Sequence, residues 1–332
     1  MRARHKLLLA AGALALLHAM ILLAGVASPY DPAQQNRTLP LVRPMRLHLF
    51  DGAGQFHLRP FVYAPRPLAG SFAEYAEDVA HPYPVRFFVR RAESRHLFGV
   101  DEPGRIFLLG TDGFGRDQFS RLLFGGRISL LAALLATAVA LLLGSLLGGL
   151  AGFYGGAWDA VLMRVTELFL AVPWLFLLFT VRALLPLRVD PADSFLLLSG
   201  VIGVVGWARP ARLVRGLALS ARERNYVLAA RGFGASDWYL FTRHVLPQAN
   251  AVLLTQAALL VPQYVVAEVT LSFLGLGVGE PVSSWGTMLA GLQYHSLTSH
   301  WWLTLPAVIL VPIFLAYHAL ADALQQHFQL AL

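Results

Sequence analysis

Three acidic residues, Glu167, Glu268 and Asp322, stand in stretches that are otherwise apolar. Carboxylates so placed are the raw material of proton relays and cation sites, because an acid among apolar spans faces protein or water rather than lipid. A structural hydrogen bond between helices, or a place near the interface, accounts for the same three residues, and packing is the plainer reading. Ser129, Ser145, Ser272 and His18 supply hydroxyls and an imidazole, but no motif links them as nucleophile and base. His48, His57, His81 and His96 fall at no metal-ligand spacing. The chain has no cysteine, which excludes disulfides, thiolate metal sites and cysteine nucleophiles. Gly110-Thr111-Asp112-Gly113-Phe114-Gly115 is glycine-dense but lacks the strand–turn–helix setting of a dinucleotide site. The only lysine, Lys6, lies between His5 and Leu7, so no Gly-Lys-Ser/Thr is present to cradle nucleotide phosphates. These residues give no catalytic group, no cofactor and no metal site. If work is done, its energy comes from another subunit or from an ion gradient, and in the second case the three acids are the ion sites.

The elements that must position these residues are membrane helices. The chain has 332 residues, 57% of them hydrophobic and 14% charged, with mean hydropathy +0.59; soluble domains carry about 25% charged residues. The net charge of +7 is nearly all arginine, set beside apolar spans rather than on a soluble basic face, which argues against nucleic acid as a partner. A helix crosses the hydrocarbon core with about 20 apolar residues. Six stretches qualify: Leu7–Ala27, Ile128–Phe153, Ala160–Leu184, Phe195–Leu213, Ala249–Leu274 and Trp302–Leu324. The first is too long for a signal-peptide core and reads as an anchor, although Gly25-Val26-Ala27 offers small residues for cleavage. Arg2, Arg4 and Lys6 at the start, and Arg209, Arg212, Arg215, Arg222, Arg224, Arg231 and Arg243 after the fourth stretch, place both regions in the cytoplasm. Both termini are then inside. The expected division is 1–28 for the cytoplasmic N-terminus and first span, 29–126 for a periplasmic domain, and 127–332 for a five-helix core with a cytoplasmic loop at 215–247. Gly144, Gly148 and Gly152 repeat every four residues, a spacing that lets helices pack closely.

The outer segment is rich in proline and glycine. Arg46–Phe50 and Gln55–Tyr63 read as strands around the turn Asp51-Gly52-Ala53-Gly54, and Val85–Arg90 and Arg105–Leu109 as two more. The expected fold is therefore an all-α polytopic membrane protein with a small β-rich periplasmic insertion. Just before the second span, Asp117 and Arg121 stand at i and i+4 with the acid first, the better order for a helix pair. Leu122, Leu123 and Phe124 suit the interface, so this segment reads as an amphipathic elbow helix along the outer surface.

The loop RERNYVLAARGFGASDWYLFTRHVLPQ, Arg222–Gln248, is basic and helix-forming, and much longer than a chain reversal requires. Such a loop suits docking of a partner on the same side of the bilayer. Ala229 and Ala230 keep one helix face low, Gly234 takes a left-handed conformation that stops the helix, and Ser236 and Asp237 cap the next. Pro247 suits the start of the fifth span.

Three stretches together carry a family resemblance. These are Leu109–Leu130, LGTDGFGRDQFSRLLFGGRISL; the Arg222–Gln248 loop; and Leu271–Leu289, LSFLGLGVGEPVSSWGTML, followed by Trp301-Trp302. In order and at these distances, they make the chain resemble the permease subunits of binding-protein-dependent ABC importers of the dipeptide/oligopeptide/nickel group, from Gly110 to about Asp322. The family's loop pattern is Glu-Ala-Ala, three residues, Gly, nine residues, an apolar residue, any residue, Leu-Pro. Ala229, Ala230, Gly234, Leu246 and Pro247 match it; Leu228 stands at the glutamate and His244 at the apolar position. The resemblance implies the type I importer permease fold with six transmembrane helices. It also implies that Tyr226, Leu228, Ala229, Ala230, Arg231, Gly234, Leu246 and Pro247 belong to a coupling loop that docks on a cytoplasmic ATPase. Gly110, Thr111, Asp112, Gly115, Arg116 and Asp117 belong to the periplasmic elbow. The implied partners are a pair of ATPase subunits, a second permease subunit (usually a different chain), a periplasmic substrate-binding protein and membrane lipid. The implied location is the bacterial inner membrane, and the chain itself is a transporter subunit rather than an enzyme.

Overall fold

Two of the apolar stretches break beside a proline, Pro173 and Pro210, whereas Pro262 and Pro312 lie within continuous helices. In the computed structural model, which describes residues 2–68, 70, 73–91, 94–186 and 189–329, the chain runs α1 (Arg2–Leu22), α2 (Ala24–Ala27), β1 (His48–Phe50), β2 (Phe56–Pro67), β3 (Tyr75–Pro84), β4 (Arg86–Arg91) and β5 (Ser94–Gly99). Then come α3 (Gln118–Tyr154), α4 (Gly156–Ala171), α5 (Trp174–Ala183), α6 (Pro191–Gly206), α7 (Ala208–Arg222), α8 (Asn225–Gly232) and α9 (Asp237–Leu240). A π-helical turn Phe241–Val245 and a 3-10 turn Leu246–Ala249 lead into α10 (Asn250–Phe273), followed by α11 (Trp285–Ala290) and α12 (Leu305–Gln329).

Four helical runs among the described residues are long and apolar enough to cross a bilayer: within α1, α3, Asp237–Phe273 and Trp301–Phe328. The stretches expected as the third and fourth spans are broken. α4 and α5 meet at 95°, and α6 and α7 at 44°; each pair counted as one span brings the total to six. The first break follows from Pro173, which disfavours helical backbone in the preceding residue; Val172 is extended, at φ −83° and ψ 133°. The second has Pro210 four residues after Gly206, where it cannot donate the helical hydrogen bond to that carbonyl. α3 is 37 residues long, about 55 Å at 1.5 Å per residue. The elbow expected before the second span is therefore no separate helix but the first turns of α3.

The contacts gather into two units. The first comprises 1–14, 130–271 and 312–332. In it the glycine face of α3 lies against α7. A Cβ added at Gly148 would come within 2.1 Å of the Ala211 carbonyl oxygen, and one at Gly152 within 2.5 Å of the Arg215 oxygen. Only glycine permits this approach. Ala211, Val214, Ala218 and Ala221 form the buried face of α7. Arg215 forms a bidentate pair with Asp159 of α4, Nη2 to Oδ2 at 2.6 Å. Arg222 Nη1 donates to the Gly152 carbonyl at the end of α3 (3.2 Å), where a cation is favoured by the helix dipole.

The second unit comprises 15–129 and 272–311. Its strands form a three-stranded antiparallel sheet, β1-β2-β3, and the hairpin β4-β5. Arg105–Leu109, expected as a strand, is irregular, whereas Tyr75–Pro84 and Ser94–Gly99 are strands. β3 carries Pro82 and Pro84, and it lies at the sheet edge, where a missing N–H costs least. Of the outer segment, Ala69, Ser71, Phe72, Ala92 and Glu93 lie outside the described residues. Tyr30, Val42, Val62, Val85, Val100, Ile106 and Phe107 form a buried core. Trp302 Nε1 donates to the Thr111 carbonyl (3.0 Å), and Trp285 Nε1 to that of Leu122 (2.9 Å).

Candidate functional site

The Arg222–Gln248 loop is built on the end of α7. Ala218 and Ala221 of α7 and Phe153 of α3 form a pocket that takes Val227, Leu240, Phe241 and Val245; Val227, Leu240 and Phe241 are wholly buried. These roots fix α8 and α9 while leaving most intervening side chains outside. α8 ends at Gly234, φ +88°, with the Ala235 N–H on the Ala230 carbonyl (3.1 Å) and the Gly234 N–H on that of Arg231 (3.0 Å). That pair of bonds is the Schellman stop, which needs the left-handed residue that glycine supplies most easily. Ser236 Oγ accepts from the Tyr239 N–H and caps α9, with Asp237 in the first turn.

What faces outward includes large apolar and aromatic side chains, set among charged ones such as Arg224, Arg231, Asp237 and Arg243. Leu228 is 51% exposed, Phe233 92% and Trp238 62%. Ala229 is exposed and Ala230 half-buried against the roots. Arg231 pairs with Asp237 at 3.0 Å on the surface. Tyr226 accepts a hydrogen bond from Gln248 Nε2 (2.6 Å), and half-buried His244 lies beside the rings of Tyr226 and Tyr239. Leu246 is half-buried and Pro247 exposed in the turn before α10.

The elbow residues are gathered by Asp112. Its Oδ1 accepts from the N–H groups of Phe114 and Arg116, and its Oδ2 from Arg116 Nε (2.7 Å). Thr111 Oγ1 donates to the Leu39 carbonyl and accepts from the Val42 N–H. Gly110 and Gly115 both have positive φ, and the carbonyl of Gly115 accepts from Asn36 Nδ2. Arg116 also grips both oxygens of Glu280, at 2.5 and 3.1 Å. Burial works against the charge of Arg116, but the Glu280 and Asp112 carboxylates outweigh it and raise the guanidinium above its ordinary range. Asp117 and Arg121 do not form the expected side-chain pair. Asp117, just before α3, caps the helix by accepting from the Ser120 N–H and Oγ (2.8 and 2.6 Å). Burial pushes its carboxyl up to about 6 despite those bonds. Arg121 instead turns to Glu280 (3.3 Å) and Asp112 (3.6 Å). A charged residue capping a buried helix start satisfies the backbone more effectively than a side-chain pair on a surface.

The apolar-span acids take separate places. Glu167 is exposed and pairs with Arg164 at 2.8 Å, Asp322 is exposed, and Glu268 is fully buried. Among the described residues no group of three or more histidine, cysteine or acidic side chains is arranged to hold a metal. Sequence reasoning missed Glu280 and Asp159. Glu280 lies inside a stretch already singled out, Leu271–Leu289, but its partner is 164 positions away in the chain. In the sequence Arg215 serves only as a marker of topology, and nothing in its spacing points to Asp159.

Residues 140–330 match the family model described as "Binding-protein-dependent transport system inner membrane component". A dipeptide transport system permease protein, DppC, from Bacillus subtilis is 36% identical over 67% of this chain and 68% of its own length. An oligopeptide transport system permease protein, OppC, from Escherichia coli is 39% identical over 68% of this chain and 72% of its own. A chain from an inward-facing structure of the MetNI methionine ABC transporter aligns at 19% identity and TM-score 0.38, covering 59% of this chain and 94% of that one.

Proposed function

Since the chain belongs to the family of binding-protein-dependent transport system inner membrane components, we propose that it forms half of the translocation pathway of an ATP-driven importer for peptides or a related small solute. A second permease subunit, commonly a different chain, supplies the other half. A periplasmic binding protein delivers the solute. A pair of ATPase subunits on the cytoplasmic side closes on ATP and moves the Arg222–Gln248 loop. The termini are cytoplasmic, and the segment 29–126 lies outside, where it helps seat the binding protein.

The observation that supports this most is the construction of the loop. A surface helix with no partner exposes polar residues and buries apolar ones. Here Leu228, Phe233 and Trp238 are outside while Val227, Leu240 and Phe241 root the same segment in α3 and α7. Exposed aromatic side chains around a rigid scaffold are the composition of a docking surface. The rigid path from loop to α7, and from α7 to the glycine face of α3, is what a rigid-body switch between inward-open and outward-open states requires. ATP drives such a switch only insofar as the closed ATPase dimer favours one membrane state.

The test is reconstitution with the companion subunits in liposomes. ATP-dependent accumulation of peptide delivered by the binding protein is the expected result. Proton-driven uptake by this chain alone, with no ATPase present, would overturn it.

A further inference from the structure

Two adjoining cavities in the first unit collect polar side chains of α7 and α10. One, of about 430 Å³, is walled by Arg209, Arg212, Gln256, Gln263 and four leucines. The other, of about 340 Å³, shares Arg209 and Gln263, and its wall includes Pro173 at the α4–α5 break and Gly206 at the α6–α7 break. Apolar walls with a few convergent polar groups are the usual make-up of small-molecule sites. Both arginines are exposed and both glutamines half-buried, and neither carboxamide is buried without a partner, so all four groups are reachable by a solute.

The four are also uncommitted. Arg215 and Arg222 of the same helix bond to Asp159 and to the Gly152 carbonyl. Among the described residues, Arg209 and Arg212 pair with no carboxylate, and neither glutamine side chain has a hydrogen-bond partner. Gln256 and Gln263 stand seven positions apart in an apolar helix and so share a face. Polar groups inside spans face the bundle or a water-filled cavity, and broken backbone at membrane depth is tolerated in the same places. The cytoplasmic excess of positive charge accounts for the arginines alone; the glutamines and the two breaks place water on this face.

We propose that these cavities form a site on the translocation pathway for the carboxylate of a solute, held by Arg209 and Arg212 with Gln256 and Gln263 as its neutral polar wall. Three positions apart on α7, the guanidinium groups are close enough to share one oxyanion. A lipid phosphate has the same oxyanion chemistry, but its acyl chains would have to lie along the glutamine face. The proposal rests on the transport reading only for the choice of a peptide as solute.

The chain has no cysteine, so Gln256→Cys and Gln263→Cys each place a unique thiol on this wall. Each variant, assembled with its companion subunits in phosphatidylcholine nanodiscs without nucleotide, is treated with a sulfonate-bearing or a trimethylammonium-bearing methanethiosulfonate. Modification of this chain is followed by mass spectrometry. The anionic reagent should react about tenfold faster, since a cleft of one charge sign concentrates the opposite ion, and Arg209→Gln with Arg212→Gln should remove that preference. Alanyl-alanine should protect the thiol and its C-terminal amide should not. No modification of either thiol, equal rates, or a preference that survives both arginine substitutions would overturn the proposal. Equal protection by dipeptide and amide, or none by either, would do the same. Protection by added phosphatidylglycerol alone would assign the arginines to lipid and overturn the solute site. Loss of ATP-driven uptake with carboxylate-dependent protection retained would count against the transport reading and leave the site standing.

Discussion

Gly234 offers the sharpest perturbation of the loop. Its φ is +88°, and a Cβ at that position meets nothing within 4 Å. Substitution therefore causes no clash, and the whole cost is conformational. For most L-residues the left-handed region costs about 1–2 kcal/mol, which lowers the ratio of native to displaced loop roughly 5–30-fold. The roots at Val227, Leu240 and Phe241 are untouched, so insertion and global folding should persist while the presented surface shifts. Asparagine tolerates the left-handed region, alanine less, and β-branched valine least. Reconstituted complexes should thus couple ATP hydrolysis to uptake in the order Gly, Asn, Ala, Val, with membrane levels unchanged. Gly234→Arg adds bulk and charge at the presented surface and should hydrolyse ATP without uptake. Wild-type uptake by both Gly234→Val and Gly234→Arg would refute the reasoning.

Other consequences follow from the same contacts. Phe241→Ala removes a fully buried ring from the loop's anchor and should destabilise the segment by about 3–5 kcal/mol, seen as faster limited proteolysis between α8 and α10. Gly148→Val drives a side chain into the Ala211 carbonyl, 2.1 Å from a Cβ, so size-exclusion chromatography should show loss of monodisperse protein, whereas Gly200→Ala, where a Cβ meets nothing within 4 Å, should leave it intact. Asp117 has its folded value raised from 3.8 to about 6 by burial. The folded state thus binds the proton more tightly, and stability falls as pH rises through that window, by about 3 kcal/mol in all. Asp117→Asn should flatten this slope in thermal melts from about pH 4 to about pH 6, and an unchanged slope would assign the effect elsewhere.

The apolar stretches were legible because length and composition alone mark a membrane helix, and the arginine-rich loop because its size exceeds what a turn needs. The stop at Gly234 and the cap at Ser236 were also legible, since both depend on residues close in sequence. The breaks in α4–α5 and α6–α7 were not anticipated, although Pro173 and Pro210 were in plain view; hydropathy averages over a window and passes across a bend. The Asp117–Arg121 pair failed for a different reason. Helical spacing assumes a solvated face, whereas here both side chains are buried and take distant or capping partners. Glu280 and Asp159 could not be read at all, since only the tertiary fold sets them beside Arg116 and Arg215.

The central claim is that the exposed face of the Arg222–Gln248 loop bears on a separate ATPase. The chain has no cysteine, so Leu228→Cys and Phe233→Cys each place a unique thiol on that face. The direct measurement is photo-cross-linking from those thiols in native membranes, with the products identified by mass spectrometry. A product with a P-loop-bearing subunit, altered in yield by ATP, is expected. Adducts with lipid alone, or labelling of these thiols by an impermeant reagent added outside intact cells, would contradict the account.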